Sequence, residues 1–150
     1  MREYALPDAE STEHFGRALA KLLKPGDTIA LAGDLGAGKT TLTRGVVREL
    51  CGDATEVPSP TYTLVQSYNA PEFLLWHFDL YRLDHPDEIF ELGWTETVDG
   101  VALVEWPERA IIHLPSTRLT LRLETIGEGR RAILEPASKD WQTRLDGFDF

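Results

Sequence analysis

The chain carries a single cysteine, Cys51. No disulfide can form within it, so a packed core has to hold it together. A lone asparagine, Asn69, excludes the N-K-x-D motif that guanine-reading domains need. No apolar run approaches the roughly 18 residues of a membrane-crossing helix. Basic residues are scarce: 15 Lys and Arg stand against 25 Asp and Glu, for a net charge of −10. Nucleic acid is gripped chiefly through phosphate neutralisation by Lys and Arg. This composition therefore describes a poor stand-alone binder of RNA or DNA, with Arg130-Arg131 as its one basic cluster. Any nucleic acid involved is expected to be held by a partner. Repeats, low-complexity tracts and linkers are missing too, so residues 1–150 read as one domain. Residues 1–6 lack the apolar stretch and cleavage site of a signal peptide, and the expected location is the cytoplasm.

What is present centres on Gly33-Asp34-Leu35-Gly36-Ala37-Gly38-Lys39-Thr40. It satisfies G-x-x-x-x-G-K-[ST] at every fixed position. Upstream, 28–32 is a short apolar run suited to a buried strand, and downstream Leu42, Val46 and Leu50 recur at helical spacing. Glycines let the backbone approach a ligand without a Cβ in the way. Successive N–H groups and the helix N-terminus then favour phosphate. In such a loop Gly36, Gly38 and their neighbours cradle the phosphate chain, Lys39 reaches the β- and γ-phosphates, and the Thr40 hydroxyl serves Mg²⁺. A nucleoside triphosphate is the expected ligand.

Elsewhere the pattern alternates between helix and strand. Asp8 is placed to N-cap a helix whose apolar face is Phe15, Leu19, Leu22 and Leu23. Residues 61–68 and 73–81 read as two strands joined by a turn at 69–72. Period-2 alternation in the second sends Leu74, Trp76, Phe78 and Leu80 to one face and His77, Asp79 and Tyr81 to the other. A short helix ending at Gly93 follows, then the apolar run 101–104, a strand covered on both faces. A further short helix runs to His113. Residues 117–126 alternate as a half-exposed strand, 127–129 turn, 130–135 return, and a last helix ends near Leu145. The expected fold is α/β: a P-loop NTPase-like three-layer sandwich with a mixed parallel and antiparallel central sheet.

Two acids stand out beside the loop. Glu105 ends the buried run 101–104, where an acid at a strand's carboxyl end can help hold Mg²⁺; a surface acid is the alternative. Asp79 is a candidate for orienting the attacking water, or else a structural carboxylate bound to a loop N–H or to Arg82. Ser59-Pro60-Thr61-Tyr62-Thr63 is either a hydroxyl-rich switch or a strand entry fixed by prolines. Trp106 is a core anchor or a neighbour of the nucleotide. His77 shares the face of Asp79, but an isolated histidine is more often a structural hydrogen-bonding residue than a catalyst; His14, His85 and His113 show no metal-ligand spacing.

Four blocks together resemble the TsaE (YjeE) family. They are the loop 33–41, Ser59-Pro60-Thr61-Tyr62-Thr63-Leu64-Val65, His77-Phe78-Asp79-Leu80-Tyr81-Arg82-Leu83 and Val104-Glu105-Trp106-Pro107-Glu108-Arg109. Their order and spacing fit over essentially the whole chain. The resemblance implies a small Mg²⁺-dependent ATPase needed for threonylcarbamoyladenosine modification of tRNA. Such proteins act with the TsaD–TsaB complex and meet tRNA only through it. By the same resemblance Leu35, Gly36, Ala37, Gly38, Lys39, Thr40 and Thr41 would bind ATP, with Trp106 and Arg130 beside them. Thr40 and Glu105 would hold Mg²⁺, and Asp79 and Lys39 would serve hydrolysis. A small-molecule kinase is the alternative, weakened because the middle of the chain has no arginine-rich lid. A nucleotide-gated module with negligible turnover is another.

Overall fold

The computed structural model describes every residue of the chain except Leu35, Ala37, Thr61 and Tyr62. Its strands are β1 (Arg2–Leu6), β2 (Thr28–Ala32), β3 (Val65–Asn69), β4 (Leu74–Asp79), β5 (Val101–Glu105), β6 (Leu119–Ile126) and β7 (Gly129–Pro136). The helices are α1 (Ala9–Ala20), α2 (Lys39–Cys51) and α3 (Lys139–Leu145). The strands form one sheet in the order β1-β7-β6-β2-β5-β4-β3. β2 is parallel to both β5 and β6, and β4 is parallel to β5. The flanking pairs β1–β7, β6–β7 and β3–β4 are antiparallel. The mixed sheet expected from the two hairpin signals is therefore present, with its parallel strands in the middle.

The sheet separates two cores. On one face Ile29, Leu31, Leu103, Leu121 and Leu134 pack under Phe15, Leu19, Leu42 and Val46 of α1 and α2 and under Trp141 and Leu145 of α3. On the other, Ala30, Phe78, Ala102 and Val104 pack with Leu80, Leu83, Ile89, Ala110 and Leu114. This second outer layer is built from 3₁₀ turns at Pro86–Leu92, Trp94–Asp99, Pro107–Arg109 and Ile111–His113. Prolines begin two of these turns, where a missing N–H costs nothing, and Gly93, at φ 87°, ends the first. Every residue of β5 is buried, as its uninterrupted apolar run predicts.

α1 starts where expected: Asp8 is extended at φ −148° and its carboxylate accepts from Ser11 N–H at 2.8 Å. α1 and α2 touch through glycine. A Cβ on Gly45 would lie 2.1 Å from the Glu13 carbonyl oxygen, and one on Gly16 2.2 Å from that of Leu42. This reciprocal close approach fixes how α2, and hence the loop before it, sits on the sheet. α3 is tied down by Arg144, whose Nη1 and Nη2 donate to the two Asp27 carboxylate oxygens at 2.7 and 2.9 Å.

Several boundaries differ from the sequence reading: the strand expected over 73–81 spans Leu74–Asp79, and the one expected over 117–126 starts at Leu119. β1 has no counterpart there; it is a short edge strand whose partner, β7, lies at the other end of the chain. The strand expected over 61–68 starts at Val65. Thr61 and Tyr62 lie outside the described residues. Leu64 takes a left-handed φ of 68°, and its N–H donates to Pro60 O at 2.6 Å, which ends the extended run. Among the described residues no helix is long and apolar enough to cross a membrane.

Candidate functional site

The site lies at the carboxyl ends of the central parallel strands, where open α/β sheets place ligands. β2 ends in Ala32, and the chain turns at Gly33 (φ 136°), where a Cβ would meet the Leu123 carbonyl oxygen at 2.5 Å. Only glycine fits that approach. Gly38, at φ 99°, then begins α2 without any side-chain cap. The helix also has no acid in its first turn. Its N-terminal N–H groups and partial positive charge thus face the cleft without a built-in anion.

Lys39 folds back into this space and is only 5% exposed. Its Nζ donates to Gly33 O at 2.8 Å and lies 3.8 Å from Glu105 Oε1. It also sits 4.6 Å from the centre of the Trp106 ring, a cation–π distance. Glu105, 6% exposed, stands directly opposite Leu31 of β2 on one side and Asp79 of β4 on the other. Its second oxygen, Oε2, is 2.6 Å from His77 Nε2. Asp79 is likewise 6% exposed, and its Oδ1 accepts from Tyr81 N–H at 3.0 Å. The structural role weighed for Asp79 is therefore real, through a loop N–H, and its carboxylate lines the cleft as well.

The cleft, about 280 Å³, is lined by Gly36, Gly38, Lys39, Thr40, Thr41, Ser59, Asp79, Glu105 and Arg130. Arg130 arrives from the start of β7 and donates through Nη2 to Gly36 O at 2.9 Å. A smaller recess of about 180 Å³ adjoins it beyond Gly38 and Arg130, walled by Asp8, Ala9, Thr12 and the Glu128-Gly129 turn. Asp8 on its rim is held below the ordinary carboxylate range by the hydroxyl and amide of Ser11. Trp106 lines a separate groove outside the loop, with its ring 4.9 Å from that of Tyr81. Its backbone is left-handed at φ 55°, a costly conformation for a bulky residue. A residue before proline ordinarily prefers an extended backbone, yet here the ring stays against Lys39.

Of the residues singled out in the sequence, Gly36, Gly38, Lys39, Thr40, Thr41, Asp79, Glu105 and Arg130 converge on one cleft. Trp106 reaches it through Lys39. Leu35 and Ala37 lie outside the described residues. The residues fit a Mg²⁺–triphosphate: an uncapped helix start, a buried ammonium and an arginine for phosphates, and a threonine hydroxyl with two carboxylates for a hard cation. Among the described residues no three His, Cys, Asp or Glu side chains converge as a metal-holding group. A cation that takes much of its coordination from substrate phosphates does not require one. The residue that sequence reasoning undervalued is His77, set aside as an isolated histidine. Its signal was the shared strand face with Asp79.

A glycine-rich loop between a buried strand and a helix, on a sheet with parallel centre, defines a P-loop-type α/β domain. The family model for "Threonylcarbamoyl adenosine biosynthesis protein TsaE" matches residues 6–133, and the chain belongs to that family. A Rickettsia felis tRNA threonylcarbamoyladenosine biosynthesis protein TsaE is 41% identical over 84% of this chain and 74% of its own length. The Bacillus subtilis protein of the same name is 40% identical over 83% of this chain and 78% of its own. The crystal structure of Bacillus subtilis YdiB superposes with a TM-score of 0.81 and 30% identity, over 98% of this chain and 93% of that one. Membership places the chain in tRNA threonylcarbamoyladenosine biosynthesis.

Proposed function

We propose that the chain hydrolyses ATP to ADP and phosphate in a Mg²⁺-dependent reaction, and that turnover drives or resets a TsaD–TsaB complex during tRNA modification. The supporting observation is that Lys39, Asp79 and Glu105, each more than nine-tenths buried, meet beside an uncapped helix N-terminus. Burial of three charges in one cleft is costly unless they serve one another or a ligand.

In this reading the N–H groups at the start of α2 and the Lys39 ammonium hold the phosphate chain, with Arg130 closing the loop side. Mg²⁺, held by Thr40 and Glu105, would neutralise charge that develops on the phosphate oxygens. Asp79 orients the attacking water and accepts its proton; its bond from Tyr81 N–H fixes the carboxylate against the strand end. Trp106 keeps Lys39 from swinging out of the cleft. With its acidic surface, the protein meets tRNA only through the complex.

The test is ATP turnover by the pure protein, alone and with a TsaD–TsaB pair. Strong stimulation by the pair is expected. ADP formation that depends on a metabolite acceptor would instead identify a small-molecule kinase. Tight ATP binding with no turnover under either condition would identify a nucleotide-gated module.

A further inference from the structure

His77 is the most deeply buried ionisable side chain near the cleft, with 0% of the residue exposed. It sits in β4 opposite Leu103, two residues below Asp79 and on the same face. From there its Nε2 reaches up diagonally to Glu105 Oε2 at 2.6 Å. A carboxylate oxygen only accepts, so Nε2 carries the proton and donates. Its other nitrogen, Nδ1, is buried and has no partner among the described residues. A proton there would be an orphaned donor, which is costly inside a protein, whereas a bare lone pair costs less. The two sides of the ring therefore agree on one tautomer, with the hydrogen on Nε2.

The consequence falls on Glu105. Its oxygens are divided between two neighbours: Oε2 is held from below by His77, while Oε1 faces Lys39 at 3.8 Å in the cleft. Without His77 the carboxylate could rotate and offer either oxygen, or both, to the ammonium. We propose that His77 is a positioning residue that donates its Nε2–H to Glu105 Oε2 and so reserves Oε1 for the cation of the reaction. This rests on the reading that Glu105 serves the metal. The physical basis is general: a ligand held by a hydrogen bond on its far side loses less orientational freedom on binding metal, and removing that bond typically costs about 10–100-fold in affinity.

The experiment measures Mn²⁺ affinity of the protein–ATP complex by electron paramagnetic resonance, together with ATP affinity in EDTA and thermal stability. His77→Phe keeps a planar ring and removes the donor. It is expected to weaken Mn²⁺ binding about 10–100-fold, with ATP affinity in EDTA unchanged. His77→Gln, whose amide nitrogen reaches the place of Nε2, is expected to recover most of the loss. A lower melting temperature with unaltered Mn²⁺ affinity would show a structural role only and overturn the proposal. Glu105→Gln separates the two levels of the argument. If it weakens Mn²⁺ binding and His77→Phe does not, the positioning role fails alone; if neither does, the metal role of Glu105 fails as well. Should His77→Phe not fold, nitrogen-15 NMR of the unaltered protein decides: an Nε2–H tautomer is expected, and an Nδ1–H tautomer overturns the proposal.

Discussion

Replacing Lys39 by alanine tests the phosphate loop on two scales at once. In the folded protein the ammonium bonds to Gly33 O at 2.8 Å and lies 3.8 Å from Glu105 Oε1, with about one-twentieth of the residue exposed. At an effective dielectric near 20, charges about 4 Å apart attract by about 4 kcal/mol before desolvation is counted. Breaking a buried pair by removing one partner costs about 3–5 kcal/mol, because the remaining charge stays buried. The cleft is open to water, so the lower end applies. Against a total stability of about 5–15 kcal/mol the variant stays folded. At about 2–4 °C per kcal/mol it melts roughly 6–12 °C lower. ATP binding suffers more. Hydrogen bonds to charged groups contribute about 1.5–3 kcal/mol each, so losing contacts to two phosphates raises the dissociation constant by about 10²–10⁴-fold. Calorimetric titration with Mg²⁺–ATP measures this directly. A melting scan checks it independently: ligand at a hundred times the wild-type dissociation constant adds about 2.7 kcal/mol to the wild type and at most about 0.4 kcal/mol to the variant. A folded Lys39→Ala protein whose affinity stays within about threefold of wild type would refute the phosphate-loop assignment.

Asp79→Ala is expected to bind ATP normally and to lose hydrolysis by about a hundredfold or more, the usual contribution of a positioned acid–base group; single-turnover phosphate release measures it, and loss of folding instead would favour the purely structural role. Gly45→Ala places a Cβ 2.1 Å from Glu13 O, forcing α1 and α2 apart at a cost of about 1–3 kcal/mol or more, seen as a lower urea midpoint. The Asp8 carboxyl is held low by Ser11 in the folded state, so the stability it contributes is present above its unfolded value and is lost as pH falls through its folded value. The difference in melting temperature between wild type and Asp8→Ala should therefore shrink as pH drops from about 5 to about 3. An unchanged gap would show that the cap bond is not made in solution.

What the amino-acid order determined by itself was whatever depends on near neighbours along the chain. The loop 33–40 was legible because its glycines, lysine and threonine must be contiguous to wrap a phosphate chain. Asp8 as a helix cap was legible for the same reason, since a cap bonds three residues ahead. Period 2 placed His77 and Asp79 on one face of β4, and the unbroken apolar run of β5 marked it as central with Glu105 at its end. The turn layer was half visible: its prolines and Gly93 announced short pieces, while its 3₁₀ character depended on how those pieces close over Phe78 and Val104. Tertiary structure alone decided what joins distant segments. β1 became a strand only because β7 offers it an edge, and Arg130 reached Gly36 only because the β6–β7 hairpin returns beside the loop. Leu64, whose carbonyl oxygen accepts from the distant Asp79 N–H at 2.9 Å, turned left-handed and so delayed β3. The pairing of His77 with Glu105 required β4 and β5 to be parallel neighbours in one particular register. Register is a property of the assembled sheet, and a slip of one residue would have turned His77 to the opposite core and left the carboxylate without its donor.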